Sequence, residues 1–258
     1  AEANGFGRQS RMDGILAYMY IMLREAERKN LPFTREDLVE KGRGIELFPG
    51  VEDWFRRINA FGETQGVQVE HYVISSGLRE IIEGSAISGE FKEIYASEFY
   101  YDEEGVPVWP KLAVNFTAKT QFVYRINKGV LDVSDDKTLN DSMPDDSKRV
   151  PFPNMIYMGD GLSDVPCMKM MRAYGGQAIA VHQAANRAGV EELLARGRVD
   201  YIFPADYREG TGLDETVKNI IRKMAISDRL WEENLHQLRH LGEDVLPDQV
   251  ELFSNLNP

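Results

Sequence analysis

Cysteine is nearly missing from this chain: Cys167 is the single thiol among 258 residues. No disulfide can therefore form within it, and a zinc site, which draws on several Cys or His ligands, has little to work with. Histidine is scarce too, limited to His71, His182, His236 and His240. Long apolar runs are lacking. The longest, Ile15 to Leu23, falls well short of the ~20 residues of a membrane helix. The first residues show no basic segment followed by an apolar leader, so the expectation is a cytoplasmic protein that does not engage a membrane. Runs of basic residues are absent as well. With 30 Lys+Arg against 42 Asp+Glu, the formal charge is −12, which gives no general attraction to nucleic acid. That acidity suits a divalent cation, but most surface carboxylates serve solubility, so net charge alone assigns no metal.

What is present is a globular composition, with 43% hydrophobic and 28% charged residues, and enough length for one large α/β domain, or one such domain plus a small appendage. Ser10 is placed to cap a helix over Met12 to Arg28 that ends at Asn30-Leu31-Pro32. Thr34 with Asp37 reads as a capping box for a short helix to about Gly42. Phe48-Pro49-Gly50 turns into a third helix, Val51 to about Phe61.

Beyond it, strands and helices alternate. Val69 to Ile74 reads as a strand, with a helix beginning at Leu78. Lys92 to Tyr101 and Val106 to Trp109 flank Asp102-Glu103-Glu104-Gly105 as a β-hairpin. Thr117 is expected to cap a helix from Ala118 to Asn127 that Gly129 ends. Residues 130–150 are polar and read as an exposed insertion. Strands at Met155 to Met158, Ala178 to His182 and Tyr201 to Phe203 then alternate with helices at about 164–174, 184–196 and 213–240. Repeated strand–helix units with short apolar strands predict an α/β fold with a doubly wound, Rossmann-like parallel sheet.

Three segments carry chemistry. Met155-Ile156-Tyr157-Met158-Gly159-Asp160-Gly161-Leu162-Ser163-Asp164 ends a strand in a carboxylate between glycines, with a second carboxylate four residues on. Ligands collect beyond the carboxyl ends of such strands, and Mg²⁺ takes one or two carboxylates together with phosphate and water. The plainer alternative is an Asp-Gly turn with an acid near a helix start. Val73-Ile74-Ser75-Ser76-Gly77-Leu78 is a second strand end, where a hydroxyl and helix-start amides suit an anion; Ser75 or Ser76 as a simple N-cap is the plainer account. Lys119, in a first helical turn, opposes the helix dipole. It either offsets phosphate and carboxylate charge or is a solvated surface lysine. Lys128, beside Gly129, fits as a C-terminal helix cation.

In this order the three segments resemble the haloacid dehalogenase superfamily, in particular its phosphoserine-phosphatase-like members, over residues 69 to 182. The resemblance implies a Mg²⁺-dependent phosphohydrolase acting on a small phosphorylated metabolite through an aspartyl-phosphate. Ser75, Ser76 and Gly77 would bind the phosphoryl group, Lys119 would neutralise its charge, and Asp160 and Asp164 would hold the metal. It also implies a helical cap, of which residues 1–45 would be the remainder, a core over 46–258 that includes the insertion and the C-terminal helix, and a hairpin flap.

One part of the pattern is missing. The family's nucleophile ends the first strand in an Asp-x-Asp-x-Thr motif. The nearest string, Arg11-Met12-Asp13-Gly14-Ile15, has Arg where the nucleophile belongs and Ile in place of the threonine. Asp13 is therefore read as a helix residue. The expectation is that residues 1–258 begin downstream of that strand; the alternative is an inactive regulatory or scaffold protein that binds phosphate or metal.

Other readings are weaker. Gly159-Asp160-Gly161 lacks the third glycine of a dinucleotide fingerprint. His236 and His240, spaced i, i+4, have no third ligand arranged with them, and a solvated helix face accounts for them.

Overall fold

The computed structural model describes residues 2–31, 33–144 and 147–240. It is a mixed α/β structure with parallel strand pairing, as the alternating pattern predicts. None of the described helices is long and apolar enough to cross a membrane.

The chain opens with α1 (Glu2–Ser10) and α2 (Gly14–Lys29). Ser10 does not cap α2. It closes α1, donating its hydroxyl to the Phe6 carbonyl, and Arg11 breaks the helix at φ 52°. The cap is Asp13, whose Oδ1 accepts from the Ile15 and Leu16 amides at 2.9 and 3.2 Å. An ionised carboxylate at this position satisfies two orphan N–H groups and favours the positive end of the dipole. α3 (Arg35–Arg43) carries the expected Thr34–Asp37 capping box. It crosses α5 (Arg79–Gly84) where Gly42 meets Gly84, and a Cβ on either glycine would run into the other helix's backbone.

Among the described residues, six strands form two sheets of three. In the first, β1 (Tyr72–Leu78) lies parallel to β2 (Glu93–Tyr101), which turns back as a hairpin into antiparallel β3 (Pro107–Leu112). In the second, β4 (Ile156–Gly159), β5 (Gln177–His182) and β6 (Tyr201–Pro204) are all parallel. Their side chains alternate between two apolar clusters. Tyr157, Ala178, Ala180 and Ile202 face a core built with α6 (Lys119–Lys128), α8 (Val165–Ala173) and α9 (Arg187–Ala195). Ile156, Met158, Ile179 and Val181 face another built with α4 (Val51–Thr64) and α10 (Gly212–His240). Tyr72 and Ile74 of β1 join the first of these clusters. A third cluster places Met19 of α2 and Leu38 of α3 on Leu78 and Phe99.

Two polar anchors matter for placement. Asp214, fully buried, binds Arg57 of α4 at 2.7 Å and Lys218 at 2.7 Å, and so ties α10 to α4. Arg125, 1% exposed, donates to the carbonyls of Asp132, Val133 and Asp135 and to the Asp136 carboxylate. Lys128 reaches the Leu139 and Asp141 carbonyls. The polar segment after α6 therefore has exposed side chains but a firmly held backbone, with a short helix α7 (Asp136–Asn140) inside it.

Between the two sheets lies a largely apolar cleft of about 970 Å³. Tyr72, Val73 and Ile74 line one side and Ile156, Tyr157 and Met158 the other. At the end where these strands begin, Arg149 pairs with Glu70 and donates to the Tyr72 hydroxyl at 2.8 Å.

Candidate functional site

At the carboxyl end of β4, Asp164 and Lys119 come together. Lys119 is 5% exposed and its Nζ lies 2.7 Å from Asp164 Oδ1, itself on a residue 5% exposed. Of the two alternatives for this lysine, the solvated surface position is thus ruled out. Two further donors reach the same carboxylate: the Tyr157 hydroxyl at 2.8 Å on Oδ1 and the Ser163 hydroxyl at 3.3 Å on Oδ2. Burial and the Asp164 charge push the Tyr157 phenol far above its ordinary pKa, so it stays a hydrogen-bond donor. Cys167 sits in the same pocket, and burial raises its thiol to about 11; that is the inert form of cysteine, not a nucleophile.

The first glycine of the motif has a steric reason. A Cβ on Gly159 would lie 2.6 Å from Asp164 Cγ, so only glycine lets that carboxylate fold back over the strand end to meet Lys119. Gly161 has open space where a Cβ would be. Asp160, between them, is exposed. Its carbonyl accepts from Asn186 Nδ2 at 3.3 Å. Its charge, after burial, is the second cause holding the Tyr207 phenol up at about 12.

Lys119 is aimed by local structure. Thr117 does not cap α6: its hydroxyl donates to Asn115 Oδ1, and that same oxygen accepts from the Ala118 amide at 2.8 Å. Asn115 also donates to Asp13 Oδ2 at 3.0 Å. The turn between α1 and α2 therefore stands beside the start of α6, at the end of the molecule where Lys119 meets Asp164.

The serine segment departs from its expected form. β1 runs on through Leu78, and α5, six residues long, starts at Arg79 with no side-chain cap. Neither Ser75 nor Ser76 is an N-cap, so the helix-start anion site is not formed. Instead Ser75 pairs with Ala96 and Leu78 with Ser97, and Ser76-Gly77 bulge out of the ladder. Bulges of this kind re-aim side chains at the rims of sheets. Ser75 Oγ accepts from the Gly77 amide at 3.0 Å, which uses up that N–H and leaves the hydroxyl proton free to donate elsewhere. Ser76 Oγ is buried without a hydrogen-bond partner among the described residues.

Lys119 and Asp164 are thus joined directly, and Asp160 stands four residues from Asp164. Ser75, Ser76 and Gly77 occupy the end of the neighbouring sheet's β1, and no hydrogen bond links them to that pair among the described residues. No group of three or more His, Cys, Asp or Glu side chains is gathered for a metal among those residues. Asp164 Oδ1 is taken by Lys119 and Tyr157, whereas the Asp160 carboxylate is exposed. Two carboxylates with water and phosphate suffice for Mg²⁺, so the donor set is of a fitting kind, with Asp160 the more available oxygen donor. The His236–His240 pair falls partly outside the described residues, because the His240 side chain is among those not described.

Three residues escaped the reading of the sequence. Tyr157 lies in an otherwise apolar strand, and a phenol two residues before Gly159 is a signal that a polar partner is near. Asn115 precedes Thr117 by two residues and is a stronger capping side chain. Gly159 leaves the space that Asp164 fills, which a glycine at a strand end does not by itself reveal.

No family model matches the chain. It is similar to an uncharacterized protein of Borreliella burgdorferi, 27% identical over 197 residues that cover 68% of this chain and 67% of that protein.

Proposed function

We propose that the chain is the greater part of a Mg²⁺-dependent phosphomonoesterase of the haloacid dehalogenase type, acting in the cytoplasm on a small phosphorylated metabolite. The observation that carries this reading is the buried Lys119–Asp164 pair beside the exposed Asp160 at a parallel strand end. A lysine is rarely buried unless paired. Here one of its three donors is committed to Asp164, and two remain for an incoming oxyanion. The finer fold reading belongs with it: helices cover both faces of the second sheet, so the two sheets are taken as parts of one doubly wound arrangement. Residues 1–45 are the remainder of its cap, and the β2–β3 hairpin is its flap. Trp109, 71% exposed, and Tyr100, 61% exposed, leave that hairpin free to meet substrate.

In this reading Ser75 donates its hydroxyl to a phosphoryl oxygen and Lys119 neutralises charge on the same group. Asp164 and Tyr157 hold the lysine in place, and Asp160 is the residue to hold Mg²⁺, which when bound would withdraw charge from the phosphoryl oxygens. An aspartate carboxylate forms the bond to phosphorus as the ester P–O bond breaks, and the departing alkoxide takes a proton from solvent to leave as the alcohol; water then cleaves the aspartyl-phosphate to the free carboxylate and inorganic phosphate. Residues 1–258 contain no Asp-x-Asp-x-Thr segment, and Asp13 is committed as the cap of α2, so the attacking aspartate is assigned to a segment outside them. The test is hydrolysis of p-nitrophenyl phosphate, with and without Mg²⁺, by the polypeptide as its own cell makes it. Turnover should require Mg²⁺ and fall by orders of magnitude in Asp160→Asn and Lys119→Ala. Turnover that survives both substitutions would overturn the site. Phosphate binding without turnover would mark the inactive, regulatory alternative.

A further inference from the structure

At the carboxyl ends of β5 and β6 lies a second pocket, of about 550 Å³, at the same end of the sheet as Asp160. One amide side chain separates the two. Asn186 Nδ2 donates to the Asp160 carbonyl at 3.3 Å, and Asn186 Oδ1 accepts at 2.8 Å from the amide of Gln183, which lines the pocket. His182, the last residue of β5, is 9% exposed and also lines it. Its Nδ1 is 3.2 Å from the Gln183 carbonyl. A carbonyl only accepts, so Nδ1 carries the proton, and Nε2 of the neutral ring keeps a lone pair. Nε2 has no hydrogen-bond partner among the described residues, and a polar atom on so buried a side chain calls for one.

The other walls say what that partner is. Glu46 and Asp206 place two carboxylates there. Asp206 is paired with Arg208, whereas Glu46 is exposed and has no ion pair among the described residues. Pro49 and Pro204 have no N–H to give, and the amides of Ala205 and Asp206 are taken by the carbonyls of His182 and Pro204. The helix start beside the pocket is closed by a reciprocal cap between Gln183 and Asn186. No lysine, arginine, serine, threonine or tyrosine lines the pocket among the described residues. Apart from the neutral Gln183 amide, these side chains offer acceptors and negative charge.

We propose that this pocket receives the far end of the substrate's alcohol, and that this end bears a hydrogen-bond donor, a hydroxyl or an ammonium, and no negative charge. The inference rests on the phosphatase reading and narrows its substrate class. With the phosphoryl group at Asp160 and Lys119, the alcohol passes Asn186 and its donor meets His182 Nε2. A bare alkyl end would leave Nε2 unmatched. A carboxylate or second phosphate would lie against Glu46 with no cation among the lining side chains to offset it. Alcohols that carry a carboxylate are therefore disfavoured. His182 touches the part of the substrate that does not react, so it determines specificity and takes no part in the bond-breaking step.

The experiment compares four phosphomonoesters of six-carbon alcohols, with Mg²⁺ and the polypeptide as its own cell makes it: sorbitol 6-phosphate, 6-aminohexyl phosphate, hexyl phosphate and 5-carboxypentyl phosphate. Sorbitol carries a hydroxyl on every carbon, so its reach does not depend on depth. The better of the two donor-bearing esters should exceed both hexyl and 5-carboxypentyl phosphate in kcat/KM by at least about tenfold, the weight of one hydrogen bond. Which of those two ranks first names the donor. His182→Phe keeps a ring and loses the acceptor, and should bring the ratio of the better ester to hexyl phosphate down to about one. Glu46→Gln, at an exposed position, should raise 5-carboxypentyl phosphate severalfold relative to hexyl phosphate. The ranking by the unaltered protein decides the matter even where His182→Phe fails to fold. Equal values across the four esters, a first rank for the hexyl or carboxypentyl ester, or a donor preference that survives His182→Phe would each overturn the proposal. If p-nitrophenyl phosphate is hydrolysed normally, such a result sinks this inference alone; loss of all turnover, p-nitrophenyl phosphate included, sinks the phosphatase reading and this inference with it.

Discussion

The same three kinds of group, a cation, a carboxylate and a tyrosine hydroxyl, gather at two places, one where β1 begins and one where β4 ends. Where the strands begin these are Arg149, Glu70 and Tyr72, with the Tyr72 hydroxyl 2.7 Å from Glu70. Where β4 ends they are Lys119, Asp164 and Tyr157. Their surroundings differ. The side chains of Arg149 and Glu70 are 33% and 16% exposed, and those of Lys119 and Asp164 are both 7% exposed. An ion pair in contact with water adds little net stability, because solvent already served both charges. A buried pair has given up that solvation, and removing one member strands the other. The first set is explained as a fastening between two loops. The second is a costly arrangement for stability alone, which is the physical reason for making it the candidate site.

The sharpest way to break this contrast is Lys119→Met, which should destabilise the fold by about 3–5 kcal/mol in urea denaturation because Asp164 is left charged and unpaired. Adding Asp164→Leu to it should restore most of that stability while turnover stays lost. A double variant as unstable as the single one would show that the pair is structural cement, not a site.

The end where β1 begins should respond to acid. Burial lowers the His71 pKa to about 4 from 6.5, so the unfolded chain binds a proton that the folded one refuses. The stability this contributes is intact above pH 6.5 and is lost as pH falls toward 4, by about 2–3 kcal/mol. Burial works against ionised Glu70, but Arg149, Lys92 and Tyr72 hold its carboxyl down to about 2. Its contribution is present above about pH 4.5 and fades below it. Thermal melts across pH 7 to 4 should show the first stage, and His71→Gln should flatten it; a wild-type profile already flat in that window would contradict the buried, neutral imidazole.

Gly159→Ala tests the other end by crowding. Its Cβ meets Asp164 at 2.6–2.8 Å, and a loss of about 1–3 kcal/mol is expected, with a larger fall in turnover as Asp164 is moved off Lys119. The smallest effect should come from Arg149→Ala, below about 1 kcal/mol and smaller still in high salt. A loss comparable to that of Lys119→Met would erase the distinction between the two ends.

What could be read in the sequence was local. The Thr34–Asp37 box, the Gly129 helix stop and the strand–helix alternation depend on neighbours a few residues apart, and the structure has them. Helix starts were misplaced where two capping residues competed: Asp13 over Ser10, Asn115 over Thr117. At the serine segment a bulge continues β1 where the sequence predicts a helix start, and bulges leave little trace in a hydropathy pattern. Lys119 and Asp164 lie 45 residues apart, and nothing in either neighbourhood announces the other. The division into two sheets was equally hidden, since strand order is set by contacts that no local pattern records.

The grip of α6 on the segment behind it bears on how this protein can change. Arg125 and Lys128 hold residues 132–141 almost wholly through main-chain carbonyls, the Asp136 carboxylate being the one side chain they take. A carbonyl is the same whichever residue carries it. That stretch is free to drift in sequence among relatives and to accept tags or epitopes that keep its spacing. A gain or loss of a single residue would pull the carbonyls out of register with two fixed cations on the helix that also carries Lys119.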